Sequence, residues 1–253
     1  MNPKDRLHSF KYQESSINTT ASGIRKPKIT KSKATVKRDE ILRDLPPSIK
    51  SGLTVVFVGF NPGIESSKQQ HHYAHFTNLF WKLFNESDLL RKVLARRDLN
   101  VADHKLLLSL YENEHSKCTA TAANDNDLLD FGIGFTDLVL RCTKTAQELS
   151  TAEKLSNVPR LMREFQESEA PFIVFIGKGI WEIVVRSLKP GHKLTKTNFQ
   201  WGKQDPSSPL IKAFHIMCQY SPSVYVFPNT SGLVASMKYP EKLSLWLSLV
   251  ETI

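Results

Sequence analysis

The stretch "VGFNPG", residues 58–63, follows an apolar run over residues 53–57 and indicates how the chain folds. The run has the length of a buried strand, and the Pro-Gly pair after it favours a turn. Neither the Gly-Lys-Ser/Thr ending of a phosphate loop nor the G-x-G-x-x-G dinucleotide fingerprint is present. The stretch therefore predicts a strand-to-helix turn that places Asn61 at the end of a strand.

Similar apolar runs recur further along the chain and alternate with helical patterns. Residues 172–176 and 224–227 have the composition of buried strands, and a helix is predicted over residues 178–188. Apolar residues from Phe76 to position 84 recur at helical spacing, which predicts a core helix beginning near Phe76. This order predicts an α/β protein, a three-layer α/β/α sandwich around a short, mostly parallel central sheet.

The net charge of +9 is concentrated at the start of the chain. Residues 1–50 contain 12 Lys/Arg and 5 Asp/Glu, a net of +7. We expect residues 1–48 to form a disordered basic tail, followed by one catalytic domain over residues 49–253 with a flexible polar insertion at 111–127. A basic tail suits a polyanion or a nuclear import receptor, and a merely solubilising arm is the alternative.

The remaining composition limits the cofactors and the compartment. Cys118, Cys142 and Cys218 are far apart and do not form a C-x-x-C pair, so neither a disulfide framework nor a zinc site is expected. No apolar stretch reaches the roughly 18 residues of a membrane span. We expect an intracellular, nuclear protein that needs no metal and no other cofactor.

Six motifs, spread over roughly residues 50–250, resemble the mismatch-specific uracil/thymine-DNA glycosylase family. They are "GFNPG" (59–63), "HHYAHFTNLFWK" (71–82), "GIGFTDLVLRCT" (132–143), "FIGKGIWE" (175–182), "WGKQ" (201–204) and "PNTSGL" (228–233). The resemblance implies the uracil-DNA glycosylase fold. It also implies a monofunctional enzyme that extrudes uracil, and in one branch thymine, from a mismatch with guanine and hydrolyses its N-glycosidic bond in base excision repair.

The resemblance also assigns roles to individual residues. Asn61 would orient the attacking water, since an amide is a feeble base that can still hold a water molecule, and His72 would assist it. Leu233 would fill the gap left by the extruded base. Asp137 replaces an asparagine of the thymine branch, and its charge should repel 5-carboxylcytosine. The base-binding candidates are Phe60, Tyr73, Asn78, Asp137 and Asn229; the DNA-binding candidates are Gly232, Leu233 and Lys203.

Other interpretations of the same residues remain open. Tyr73 and Leu233 could be core residues, Asn61 could bond within its own turn, and His72 could make local hydrogen bonds. At the level of function, the first alternative is a mismatch-DNA-binding module with little or no catalytic activity, and the second is an enzyme acting on a free nucleotide. The expected partner is double-stranded DNA carrying a mismatched or damaged pyrimidine, bound by a monomer.

Overall fold

The computed structural model describes residues 42–113, 115–232 and 237–253. Within them lies one five-stranded sheet, with strand order β2-β1-β3-β5-β4. Four strands are parallel, and the two-residue strand β4 is antiparallel to β5. The strands are β1 Val55–Gly59, β2 Ile133–Asp137, β3 Phe172–Ile176, β4 Gly202–Lys203 and β5 Ser223–Phe227.

The order of the strands reverses beside β1, because β2 lies on one side of β1 and β3 on the other. Open α/β sheets bind ligands outside the carboxyl ends of their strands at such a reversal. The turn that follows β1 is the "GFNPG" stretch of the sequence, so the fold places Asn61 at this position.

Helices cover both faces of the sheet and complete the predicted three-layer sandwich. Alternate residues of each strand point to opposite faces. On β1, Phe57 therefore packs with α2, α3 and α10, whereas Val56 packs with α7, α8 and α9. The helices are α1 Ile64–Gln69, α2 Phe80–Glu86, α3 Leu89–Arg96, α4 Lys105–Leu110, α5 Asp125–Leu128, α6 Thr151–Ser156, α7 Val158–Ser168, α8 Lys178–Leu188, α9 Pro209–Cys218 and α10 Tyr239–Val250.

The folded region begins earlier than the predicted boundary at residue 49. Residues 1–41 lie outside the described part of the chain, but residues 42–48 pack on the domain. Leu45 is buried, and its N–H donates to the carbonyl of Leu140. Ser48 forms an antiparallel bridge with Phe135 at the outer edge of β2. The end of the predicted tail thus shields an edge strand, which its polar composition concealed.

The segment 111–127 also differs from the predicted flexible insertion. Apart from residue 114, which is not described, it contains the first three residues of α5, a 3₁₀ turn at Ala122–Asn124, and the buried residues Tyr111, Cys118 and Asp125. Asp125, one of the polar residues that suggested a surface loop, is fully buried and is bound by His71 and His72.

One further sequence expectation was wrong, and one strand was missed. The helix expected near Phe76 begins at Phe80, so Phe76 is outside it and 91% exposed. Strand β2 was not predicted, because the small residues in Ile133–Asp137 interrupt its apolar pattern. Helix α8 has the predicted bounds. No helix in the described ranges is both long and apolar enough to cross a bilayer.

Candidate active site

A cleft of about 450 Å³ opens at the carboxyl ends of the parallel strands. Its walls are the turn after β1, the segment before α2 and the turn after β5. Most of the residues predicted for the site meet here, although they come from segments far apart in sequence. The predicted residues that line the cleft are Phe60, Asn61, Tyr73, Asn78, Asp137, Asn229 and Gly232.

Asn61 is held in one orientation by three hydrogen-bond acceptors. Its Nδ2 lies 2.8 Å from the Thr143 hydroxyl oxygen, 3.1 Å from the Arg141 carbonyl and 3.2 Å from its neighbouring Pro62 carbonyl. The Thr143 hydroxyl donates to the carbonyl of Thr145 and therefore accepts from Asn61. This pattern settles which amide atom is nitrogen. Within the described residues, nothing donates to Asn61 Oδ1, so this oxygen is available to a water molecule.

Asn78 and Asn229 use their amides in the opposite way. Asn78 Oδ1 accepts from the Phe80 N–H at 3.0 Å, and Asn229 Oδ1 accepts from the Ser231 N–H at 2.7 Å. A backbone N–H can only donate, so the oxygen atoms are identified and each NH₂ group is left as a donor. The cleft therefore has two amide donors and, at Asn61, one amide acceptor.

Tyr73 is held in an unusual backbone conformation beside the floor of the cleft. Its φ of 55° lies in the left-handed region, which costs about 1 kcal/mol or more for a residue other than glycine. One face of its ring is stacked on Phe80, with centroids 3.9 Å apart, so only the other face is available to a ligand. Burial, and then the charge of Asp137, raise the pKa of Tyr73, so its hydroxyl stays protonated.

Asp137, the last residue of β2, is 5% exposed and lies across the floor of the cleft from Tyr73. A Cβ atom added to Gly59 would collide with the Asp137 carboxylate and lie 3.3 Å from the Tyr73 hydroxyl, so glycine keeps this floor open. Burial raises the pKa of Asp137 to about 6, although the charges of His72 and Arg160 oppose this shift. At neutral pH the carboxylate is mostly ionised.

His72 is 2% exposed and is not among the residues that line the cleft, so the structure gives no support to direct contact with a substrate. Its backbone N–H and Nδ1 both lie within hydrogen-bond distance of Asp125 Oδ2, at 2.7 and 2.8 Å. His71 Nδ1 lies 2.7 Å from the other oxygen of this carboxylate. Burial alone would raise the pKa of Asp125, but the hydrogen bonds from His72 and His71 lower it. The Asp125 carboxylate therefore holds both the ring and the backbone of His72, just before Tyr73.

The three DNA-binding candidates have different outcomes. Gly232 lies at the rim of the cleft, where an added Cβ would collide with Thr77 of the opposite wall. Lys203 is exposed on the edge strand β4 and does not line the cleft. Leu233, the predicted wedge, lies outside the described residues.

The sequence interpretation missed two residues that position the site. Thr143 is the last residue of a quoted motif, but its spacing from Asn61 gave no sign of the contact between them. Asp125 lay in the presumed insertion, where its role as the partner of two histidines could not be predicted. In the ranges that the structure covers, no three His, Cys, Asp or Glu side chains cluster as metal ligands would.

Comparison with known families agrees with this geometry. The sequence pattern that defines the uracil DNA glycosylase superfamily matches residues 46–249. The chain belongs to the uracil DNA glycosylase superfamily. The resemblance found in the six motifs is thereby confirmed at the level of the superfamily, and the match begins inside the segment first assigned to the tail.

One curated relative of this chain is a G/U mismatch-specific uracil DNA glycosylase of Schizosaccharomyces pombe (strain 972 / ATCC 24843). The two sequences are 28% identical over 242 residues, which cover 94% of this chain. The chain spans 63% of the length of that relative.

Proposed function

We propose that this protein is a monofunctional DNA glycosylase that extrudes uracil from G:U mismatches and hydrolyses its N-glycosidic bond. Thymine in G:T mismatches is the second substrate to be tested. The observation that carries the proposal is the fixed Asn61 amide at the cleft, with Nδ2 occupied by three acceptors and Oδ1 left to accept. Membership of the superfamily and the name of the yeast relative support the same activity.

The chemistry that fits this site is bond breaking followed by addition of water. The bond between the sugar C1′ and the base N1 breaks, its electron pair leaves with the base, and a water molecule adds to C1′. The proton that this water releases passes to the uracil anion or to solvent. Asn61 Oδ1 would accept one hydrogen bond from this water and orient it, because an amide is too weak a base to remove its proton in advance. A strong base is unnecessary where the sugar already carries positive charge. The product is an abasic site in an unbroken strand.

The polar groups of the cleft match the edge of uracil that pairs in DNA. Uracil presents two carbonyl acceptors and one N–H donor. The amide NH₂ groups of Asn78 and Asn229 can donate to the carbonyl oxygens, and the Asp137 carboxylate can accept from the N–H. The free face of Tyr73 can stack on the base, a contact worth about 1–3 kcal/mol for any base. Tyr73 would thus contribute affinity for any base, and the three polar side chains would discriminate uracil from the other bases.

The direct test measures excision from three duplexes that differ only in carrying a G:U, A:U or G:T pair. The enzyme is in excess, and alkaline cleavage reveals the abasic product. We expect release of uracil from G:U, no strand breaks before alkali, and a slower reaction with A:U. A protein that binds G:U duplex tightly but releases no base would be the binding module, and the catalytic proposal would be rejected.

The charge of Asp137 sets an expected limit on the substrates. A carboxylated base would bring a second negative charge to a buried site where Asp137 is already ionised at neutral pH. We propose that 5-carboxylcytosine is therefore a poor substrate at pH 7.5 and that Asp137→Asn improves its excision relative to uracil. Efficient excision of 5-carboxylcytosine by the unaltered protein would contradict this.

The proposed partner is double-stranded DNA with a mismatched or damaged pyrimidine, bound by a monomer in the nucleus. The cluster of basic residues within positions 26–38 supports binding to a polyanion and recognition by an import receptor. Deletion of residues 1–40 from a fluorescent fusion tests the second role. The fusion should lose its nuclear enrichment, and an unchanged distribution would leave the tail without an import function.

A further inference from the structure

We infer that Phe76 is a second DNA contact, an aromatic side chain that stacks on a base next to the extruded nucleotide. The inference rests on the proposed function, since it requires that the cleft receive a base from duplex DNA. Phe76 is 91% exposed, more than Ile216 at 79% or Leu108 at 54%. It is also the residue that sequence periodicity had wrongly assigned to the core.

The turn that carries Phe76 is held by its own hydrogen bonds. His75 Nδ1 accepts from the backbone N–H of Thr77 at 3.2 Å and lies 2.9 Å from its hydroxyl oxygen. The Asn78 N–H donates to the carbonyl of His75 at 2.8 Å. The rings of His75 and Phe76 are stacked, with centroids 4.7 Å apart. Because neighbouring groups fix the turn and its aromatic ring, little conformational entropy is left to lose when the ring meets a ligand.

The position of this turn beside the cleft favours DNA as the ligand of Phe76. His75 and Thr77, on either side of Phe76, both line the cleft. Thr77 also packs so closely against Gly232 that no side chain would fit there. Phe76 therefore lies at the rim of the cleft, beside the place where the chain continues to the predicted wedge. A duplex whose base enters the cleft must bring the neighbouring nucleotides to this rim.

Base extrusion creates the surface that such a ring would cover. When one base leaves the stack, the faces of its neighbours become exposed, at a cost of a few kcal/mol. An aromatic side chain recovers part of this cost by stacking, and it does so without regard to sequence. Phe76 carries no charge, so its contribution should not depend on the release of counterions.

The test uses a G:U duplex in which the uracil nucleotide carries a 2′-fluorine that blocks cleavage and the adjacent base is 2-aminopurine. We expect Phe76→Ala to weaken binding about 10-fold, as removal of one stacking interaction predicts, and to increase the 2-aminopurine fluorescence of the complex. The slope of log K against log salt should stay unchanged, whereas removal of a group that binds phosphate would flatten it. Phe76→Trp should match the unaltered protein in both affinity and 2-aminopurine fluorescence, and Phe76→Leu should not.

Ile216→Ala is the matched control, because Ile216 is an exposed apolar residue on α9 that does not line the cleft. It should bind like the unaltered protein. Equal affinities of Phe76→Ala and Ile216→Ala, full rescue by leucine, or self-association that depends on Phe76 would each overturn the inference. Its failure is distinct from that of the proposed function, since binding is measured on a duplex that cannot react and excision on one that can.

Discussion

Two consecutive residues at the carboxyl end of β2 lie in opposite chemical environments. Thr136 is fully buried, and its hydroxyl donates to Glu164 Oε2 at 2.7 Å within an ion pair between Glu164 and Arg160. Asp137 is almost as buried but faces the cleft, and no described residue donates a hydrogen bond to its carboxylate. At Thr136 the cost of burying polar groups is offset by hydrogen bonds and an ion pair. At Asp137 no described side chain or backbone group offsets it.

The unpaired face is the one that the proposed substrate would occupy. Of the seven buried side-chain atoms that lack a partner in the described ranges, three belong to Tyr73, Thr230 and His72, in the cleft or directly behind it. The paired face supports the unpaired one, because Arg160 donates to the backbone carbonyls of Asp137 and Leu138 at 2.6 and 2.9 Å. Stability and function are thus assigned to opposite sides of one strand, and each assignment can be tested.

The largest effect is expected for Asn61→Ala on the cleft side. Loss of the group proposed to orient the water should reduce the single-turnover rate of uracil release about 1,000-fold, near the upper end of the range for removal of one preorganised hydrogen-bonding group. The free energy of unfolding should fall by only about 1 kcal/mol for the missing hydrogen bonds. Gln70→Ala is the control, since the Gln70 amide also bonds to backbone, 2.8 Å from the Ser67 carbonyl, but does not line the cleft. Retention of a tenth of the rate by Asn61→Ala would remove this role.

The next effect is expected on the paired side, for Glu164→Ala. It leaves Thr136 and Arg160 without their shared acceptor and should lower the free energy of unfolding by about 3 kcal/mol in urea titrations. Glu182→Ala removes an exposed i,i+4 partner of Lys178 and should cost less than about 1 kcal/mol. Equal costs for the two variants would show that the network does not stabilise the strand.

Asp137→Asn should stabilise the protein above pH 6. Because burial raises the pKa of Asp137 from its ordinary value of 3.8 to about 6, the folded state holds this proton more tightly than the unfolded chain. That contribution is present below about pH 4 and is lost as the pH rises through about 6. The stability difference between variant and unaltered protein should therefore grow from pH 4 to 6 and reach at most about 3 kcal/mol. A difference that does not change over this range would contradict the raised pKa.

The smallest effect is expected from the basic tail, remote in sequence from β2. Deletion of residues 1–40, which carry a net charge of +6, should weaken nonspecific DNA binding. It should also flatten the salt dependence by about one unit of slope for each phosphate that the tail neutralises. Excision at saturating enzyme should change little. An unchanged slope would mean that the tail does not bind DNA.

Local patterns predicted β1, β3 and β5, because buried parallel strands are continuous apolar runs, but they missed β2, which carries Asp137. They also predicted the turn that places Asn61 at the end of a strand, whereas the role of Asn61 came from the family resemblance. They failed where a residue's environment depends on contacts distant in sequence. Phe76 has helical spacing but lies in a turn, Asp125 is polar but fully buried by His71 and His72, and Thr143 holds an amide 82 positions away. Such partners become apparent only when the strand ends are brought together.

The most direct test of the account is a crystal structure of the protein with a G:U duplex whose uracil nucleotide carries a 2′-fluorine, which should bind without reacting. We predict that the uracil lies in the cleft against the free face of Tyr73, with Asp137 within hydrogen-bond distance of its N–H. A uracil that remains stacked in the duplex, with the cleft turned away from the DNA, would contradict the central claim.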